Sequence, residues 1–235
     1  MKPTRDSQPD FGSLSVLTTG RMPAAETGGT AVVLLHGWGA PDDDLVPLAQ
    51  ELAEPRSRFF LPAGPLDERG GGRAWWHLGP TDFDRPVHAW DDQPKAGHQP
   101  HRQVTAARAA VQQVLHAIKS RHQPDQLILG GFSQGAMLAL DVALAAAPAV
   151  DRLVLLSGVL LEDSLPALRA QASPPLPILL AHGRHDELVP FAGGAKAKEI
   201  LERHGHAVTW CPFNGGHEIP AAVVEEMRRF LYVRM

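Results

Sequence analysis

Short runs of uninterrupted apolar residues, separated by longer segments with helical spacing, constrain this chain most. Residues 31–35 (AVVLL), 58–61 (RFFL), 127–129 (LIL), 152–156 (RLVLL) and 178–180 (ILL) read as strands, and 207–211 (AVTWC) adds another. A strand that is apolar on both faces is covered on both faces, which is the environment of a parallel sheet. Between these runs, residues 45–53, 102–122, 134–147, 191–204 and 219–233 carry helical patterns. In the longest, Val104, Ala107, Val111, Leu115 and Ile118 fall on one stripe. Asp42, Asp43 and Asp44 precede the first and favour a helix N-terminus there. This alternation predicts an α/β fold, with a mostly parallel central sheet, helices on both faces and no large separate cap. Residues 13–235 read as one domain and residues 1–12 as a loose tail.

Residues 62–100 break the pattern. They are dense in Gly, Pro, Asp, His and Trp and have no clear period. A loop of this length in a compact domain is usually functional or disordered. Trp75, Trp76, Phe83 and Trp90 argue against disorder, and leave two readings: rings packed into the body, or a wall beside a ligand.

Composition removes several function classes. The 235 residues carry a formal charge of −4, too little to attract nucleic acid or an anionic membrane strongly. The chain has one cysteine, Cys211, which reads as core and excludes an intrachain disulfide. No apolar run reaches the roughly 18 residues that span a bilayer. The first ten residues lack the apolar stretch of a secretion signal. A cytoplasmic protein without integral membrane association is the expectation.

The chemistry begins at Gly131-Phe132-Ser133-Gln134-Gly135, a G-x-S-x-G motif between a strand and a helix. There the motif has mechanical meaning, because a sharp turn lifts the serine hydroxyl above the strand end. A serine hydroxyl is a weak nucleophile and needs a base. In such chains the partners follow in the order Ser, acid, His. Asp186 follows the strand at 178–180, and His217 lies in a glycine-rich loop after the next strand. The assignment is Ser133 as nucleophile, His217 as base and Asp186 as the acid that orients it. The competing reading of Asp186 is a helix N-cap before Leu188–Pro190, and that of His217 is a surface loop histidine. Twelve histidines invite a metal reading, with His182, His185 and His217 as the nearest cluster, but none has the i, i+4 ligand spacing with a nearby acid. No metal and no cofactor are expected. His36 reads as a support for the loop at residues 36–39.

At this point a family resemblance emerges. Residues 35–39 (LHGWG), 131–135 (GFSQG), 182–190 (HGRHDELVP) and 216–219 (GHEI) resemble the phospholipase/carboxylesterase family, which includes bacterial carboxylesterases and acyl-protein thioesterases. The resemblance spans roughly residues 30–230. It implies an α/β hydrolase that works without a cofactor on a small ester substrate. It also implies an oxyanion hole made by the backbone N–H groups of Trp38 and Gln134, donors that stabilise a developing alkoxide by about 3–4 kcal/mol. Trp38 stands where many members carry Leu, which implies a narrower mouth. Residues 70–78 lack the Asn-rich stretch and Tyr of the family's substrate-side loop.

The resulting expectation is a serine carboxylic-ester hydrolase that forms an acyl-enzyme on small to medium acyl esters. A lysophospholipase or acyl thioesterase is the alternative, because one triad cleaves any activated acyl group. A non-catalytic binding protein of the same fold is disfavoured by a complete Ser, Asp and His in order. Trp75, Trp76 and Val189 are the expected substrate-contacting residues, the two rings shortening an acyl pocket.

Overall fold

A computed structural model describes residues 4–6, 11–20, 27–68, 70–78, 101–145, 150–170 and 174–232. In chain order the elements are β1 (Thr4–Asp6), β2 (Val16–Gly20), β3 (Thr30–Leu35), α1 (Val46–Leu52), β4 (Ser57–Pro62), β5 (Leu66–Asp67), β6 (Arg73–Ala74), α2 (Arg102–His122), β7 (Gln126–Phe132), α3 (Gln134–Leu144), β8 (Arg152–Leu156), α4 (Leu165–Arg169), β9 (Pro177–Gly183), α5 (Phe191–Arg203), β10 (Ala207–Phe213) and α6 (Ala221–Tyr232). A 3-10 turn at Glu162–Ser164 leads into α4.

Eight strands form one sheet in the order β1-β2-β4-β3-β7-β8-β9-β10. From β4 to β10 every pairing is parallel, while β1 and β2 add an antiparallel edge. The doubly apolar runs have the cause inferred from sequence, because successive residues face different cores. Ala31, Val33, Leu127, Leu129, Leu153, Leu155, Ile178 and Leu180 join the core under α2, α3 and α5. Val32, Leu34, Ile128, Val154, Leu179 and Ala181 join the core under α1 and α6. The chain leaves β3 toward β4 on one side and reaches β7 on the other. The carboxyl ends of β3 and β7 are therefore a switch point, where open α/β sheets bind ligands.

The N-terminal reading is corrected. Residues 1–12 were expected to be a loose tail, yet β1 pairs with β2, Thr4 opposite Thr18 and Asp6 opposite Val16. Phe11 is buried against Phe60, with ring centroids 6.1 Å apart. Backbone pairing to an open edge requires no apolar side chains, so hydrophobic pattern does not reveal β1. The Asp42–Asp44 cluster supplies no side-chain cap to α1, whose first turn holds Pro47. Cys211 is half-buried on the edge strand β10 and packs against the core from there.

The irregular segment begins with order. β5 and β6 pair as a small hairpin, and Arg73 bridges to Ala40 on the loop after β3. Residues 79–100, with Phe83, Trp90 and His98, lie outside the described residues.

Backbones meet closely at the switch point. A Cβ on Gly135, in the first turn of α3, would stand 2.1 Å from the Leu35 carbonyl oxygen, and one on Gly131 would stand 2.5 Å from the Gly135 carbonyl carbon. Gly135→Ala should therefore cost about 1–3 kcal/mol by overpacking against backbone. In a chain of this size that lowers the thermal midpoint by roughly 2–4 °C per kcal/mol. Differential scanning calorimetry checks it, and an unchanged midpoint would show that the helix can retreat from β3.

Candidate active site

Ser133 joins the end of β7 to the start of α3 at φ 54° and ψ −120°. This is one of four non-glycine residues with positive φ among the described residues. Such a conformation costs on the order of 1–3 kcal/mol and persists only where surroundings enforce it. The Ser133 N–H donates to the Leu156 carbonyl at 2.8 Å, and the Ser133 carbonyl accepts from Ala136 and Met137 in the first turn of α3. The turn is thus held from β8 and from its own helix. Gly37 passes over it, with the site of a Cβ 3.4 Å from the Ser133 Cβ.

Asp186 follows β9 and is buried. One of its oxygens accepts the Leu188 and Val189 N–H groups at 3.0 and 2.8 Å. The other meets His217 Nδ1 at 2.7 Å. The helix N-cap reading of Asp186 is corrected: α5 starts at Phe191 with Pro190 as its N-cap, and the carboxylate instead closes the turn at Leu188 and Val189 while it meets the imidazole. Burial alone would raise its pKa, but the hydrogen bonds from His217 and Val189 outweigh it and hold the carboxyl below its ordinary range. With Nδ1 donating to Asp186, the Nε2 lone pair of His217 is left to take a proton. The His217 ring packs on Phe132, the neighbour of Ser133, with centroids 4.6 Å apart. Its loop is tied to the acid loop by the His185 N–H, which donates to Gly215 at 2.9 Å. A Cβ on Gly183 would meet the Gly216 carbonyl oxygen at 2.1 Å, so these loops touch through backbone.

The loop after β3 is rigid for reasons that sequence inspection partly missed. Gly64 N–H donates to His36 Nε2 at 2.9 Å, so His36 Nδ1 carries its proton and donates to the Gly37 carbonyl at 2.7 Å. Burial lowers the His36 pKa and keeps this neutral tautomer. The Trp75 indole N–H donates to the His36 carbonyl at 2.9 Å, and the two rings stack at 5.2 Å. The Gln134 side chain accepts the Trp75 N–H at 2.9 Å and donates to the Trp76 carbonyl at 2.8 Å. Gln134 was singled out only for its backbone, and its side chain is a clamp. The expected supporting role of His36 is present in this arrangement.

Three substrate-side expectations are corrected. Trp75 is 0% exposed and Trp76 3%, both within the core that packs on α2 and α3. These rings brace the loop from behind instead of walling an open pocket, because their backbone and indole groups are bound to Gln134 and His36. Val189 is also buried, and its N–H and carbonyl serve Asp186 and His182. Trp38, by contrast, is 41% exposed, and its indole N–H donates to Glu68 at 3.1 Å. An open groove of about 360 Å³ runs from His217 along α1, lined by Leu45, Leu48, Phe132 and Ile219, with carboxylates of Asp44, Glu51 and Glu218. That volume lies within the range of small-molecule sites.

Among the described residues no group of three His, Cys, Asp or Glu side chains is arranged to hold a metal ion. His185 bonds Asn214 at 2.8 Å, whereas His182 and His217 both flank Asp186. Among the same residues no helix is long and apolar enough to cross a membrane.

A parallel sheet with helices on both faces, a strained serine elbow at its switch point and a carboxylate–imidazole pair beside it define an α/β hydrolase. The chain belongs to the phospholipase/carboxylesterase family, whose model matches residues 22–235. It is 27% identical over 224 residues to "Acyl-protein thioesterase 1" of Aspergillus fumigatus, covering 89% of this chain and 90% of that protein. The match to "Acyl-protein thioesterase 1" of Gibberella zeae is more local, 30% over 112 residues, covering 46% of this chain and 48% of that one. Among solved structures it is similar to "esterase PE8", with a TM-score of 0.76 and 26% identity over 93% of this chain and 98% of that one.

Three buried histidines, His36, His182 and His206, have pKa values lowered from 6.5 by burial. As pH falls through 6.5 the unfolded chain takes up protons before the folded one does. Stability is therefore lost on acidification, progressively until the folded-state values are reached. The thermal midpoint should fall between about pH 7 and pH 5, within reach of the ordinary histidine value. A flat calorimetric profile over that interval would contradict neutral burial of these rings.

Proposed function

We propose that this chain hydrolyses carboxylic esters of small to medium acyl groups through an acyl-enzyme, with Ser133, His217 and Asp186 as its triad. The observation that carries the reading is the assembly at one sheet edge: the strained Ser133 elbow, the Phe132–His217 ring contact beside it, and the 2.7 Å pair of His217 with Asp186. Family membership supports the ester hydrolase class.

Ser133 Oγ attacks the acyl carbon while its proton passes to His217 Nε2. The carbonyl π electrons move to oxygen, toward the backbone N–H groups of Trp38 and Gln134. First-turn helix amides such as that of Gln134 have no intrahelical acceptor, and Trp38 follows the Gly37 that crosses Ser133. The carbonyl re-forms, the bond to the alcohol breaks, and the alcohol leaves with the proton from His217. Water then repeats the sequence: its proton goes to His217, its oxygen bonds the acyl carbon, and Ser133 departs with that proton. Because His217 must reach the leaving group, the groove at His217 receives the alcohol, and its three carboxylates disfavour an anionic one.

Ser133→Ala should lower turnover by on the order of 10⁶ and Asp186→Asn by about 10⁴, as in comparable triads. Both should keep their far-ultraviolet circular dichroism spectra. Labelling by a fluorophosphonate should vanish in Ser133→Ala. Labelling that survives there would remove Ser133 from the role.

Trp38 supports the limit on acyl size. Its ring stands exposed on the loop after β3, next to the Gly37 that crosses Ser133, and is anchored by Glu68. Each further methylene buried would contribute about 0.8 kcal/mol where room exists. Across p-nitrophenyl esters, kcat/KM should peak at roughly two to six carbons, where that burial gain ends at a wall. Trp38→Leu should move the peak to longer chains. A wild-type preference for palmitate over butyrate would overturn the size limit. A second reading, acyl thioester hydrolysis, is favoured by the relatives' names, and matched oxoester and thioester pairs of one acyl length separate the two.

A further inference from the structure

Behind the acid stands a histidine that the catalytic sequence above does not use. His182, on β9, is 0% exposed. Its Nε2–H donates to the Val189 carbonyl at 2.8 Å. The same residue's N–H donates to Asp186 Oδ1 at 2.8 Å. His182 Nε2 also lies 3.5 Å from Asp186 Oδ2, the oxygen that meets His217. One ring thus ties down the segment that aims a donor at the carboxylate, and it sits near the same carboxylate oxygen that meets His217.

We infer that His182 is a positioning residue for the acid: it fixes the Val189 segment, and through it the orientation of Asp186 toward His217. This rests on the triad reading above. The ring is suited to the task by its neutrality. Nε2 carries the proton, so Nδ1 is a lone pair, and it is buried without a hydrogen-bond partner among the described residues. A second proton would find no acceptor among them. Burial accordingly keeps the ring uncharged, and it does not compete with His217 for the charge of Asp186.

The surrounding chain is shaped to hold the ring. Gly194 lies within helix α5, where glycine is less favourable than alanine because it loses more backbone freedom on folding. A Cβ at that position would stand 2.3 Å from His182 Nδ1, so glycine lets the helix close on the ring. Phe191, also on α5, meets the ring edge-on at a centroid distance of 6.0 Å and 83°. The helix after the acid loop therefore clamps His182, and His182 holds the acid loop.

The test compares His182→Leu with His182→Gln, whose side-chain amide can restore a donor near the Nε2 position. His182→Leu should lower kcat by roughly tenfold to a hundredfold with KM nearly unchanged, the scale of a displaced catalytic group. The low-field proton signal of His217 Nδ1–H, assigned by its loss in His217→Gln, should shift upfield or broaden in His182→Leu. It should return in His182→Gln, together with most of kcat. Gly194→Ala, which presses on the ring without removing it, should move the same signal in the same direction. If His182→Leu folds with the signal and kcat intact, or if Gln restores neither, the inference is overturned. If His182→Leu does not fold, an unmoved signal in folded Gly194→Ala overturns it, and a shifted one upholds it. Failure of the triad reading is distinguishable, because wild type would then resist fluorophosphonate whatever the signal does.

Discussion

β3, β7 and α3 meet with almost no space between their backbones, and the geometry of the candidate site descends from that contact. With glycine at 131 and 135, the helix starts directly against the Leu35 and His36 carbonyls. The chain must then turn within one residue from strand to helix, and Ser133 absorbs the turn at positive φ. A larger residue at either glycine would relax the turn and lower the serine back toward the sheet. The strain at Ser133 is a consequence of close packing on both sides of it, sustained by the Leu156 and Ala136 hydrogen bonds. The strained turn at Ser133 and the close seating of the helix N-terminus have one cause.

Around that contact lies a layer of polar side chains that fix loops instead of meeting substrate. Gln134 grips Trp75 and Trp76 through their backbones, Trp75 grips His36, and His36 joins the Gly37 and Gly64 positions. Every link is a satisfied hydrogen bond within the protein interior, where an unpaired group would cost about 1–3 kcal/mol. The loop carrying Trp38 therefore has little freedom to adapt. Preorganised donors favour a transition state because they need no reorientation as charge develops. On the proposed function, the tryptophan pair would thus act by stiffening this loop, not by touching substrate.

The sheet was largely legible because a strand buried on both faces shows as a solid apolar run, and β3, β7, β8 and β9 are such strands. α2 was legible to the residue for the corresponding reason, a long one-sided stripe. β1 and β2 escaped notice, since an antiparallel edge is held by backbone hydrogen bonds and tolerates residues such as Thr4, Arg5 and Thr18. The positive-φ turn at Ser133 and the Asp186–His217 pair lie where glycines and strand ends flank these residues in sequence, which is why they could be nominated as candidates. Trp75 and Trp76 were misread as substrate walls for a definite reason. An aromatic residue in an irregular segment has no periodicity to say which way it faces, and its orientation here is set by Gln134, 59 residues away from Trp75 in sequence. The side-chain roles of Gln134 and His182 were invisible on the same ground, since each depends on a partner that only the fold supplies.

The loop after β9 shows how one carboxylate can close a turn and hold an imidazole at once. Asp186 accepts two N–H groups that would otherwise be unpaired where the chain leaves β9, and this closes the turn toward α5. Those bonds occupy one carboxylate oxygen and leave the second directed at His217. A cap and an orienting acid are usually weighed as rivals, yet the carboxylate has enough lone pairs for both. The turn also gains from being charged: each N–H bond favours the ionised form, which is the form that can hold an imidazolium. Closure of the turn and, on the proposed function, aim of the base therefore depend on the same atoms. Loss of the turn would disorder the acid before it altered any residue in contact with substrate.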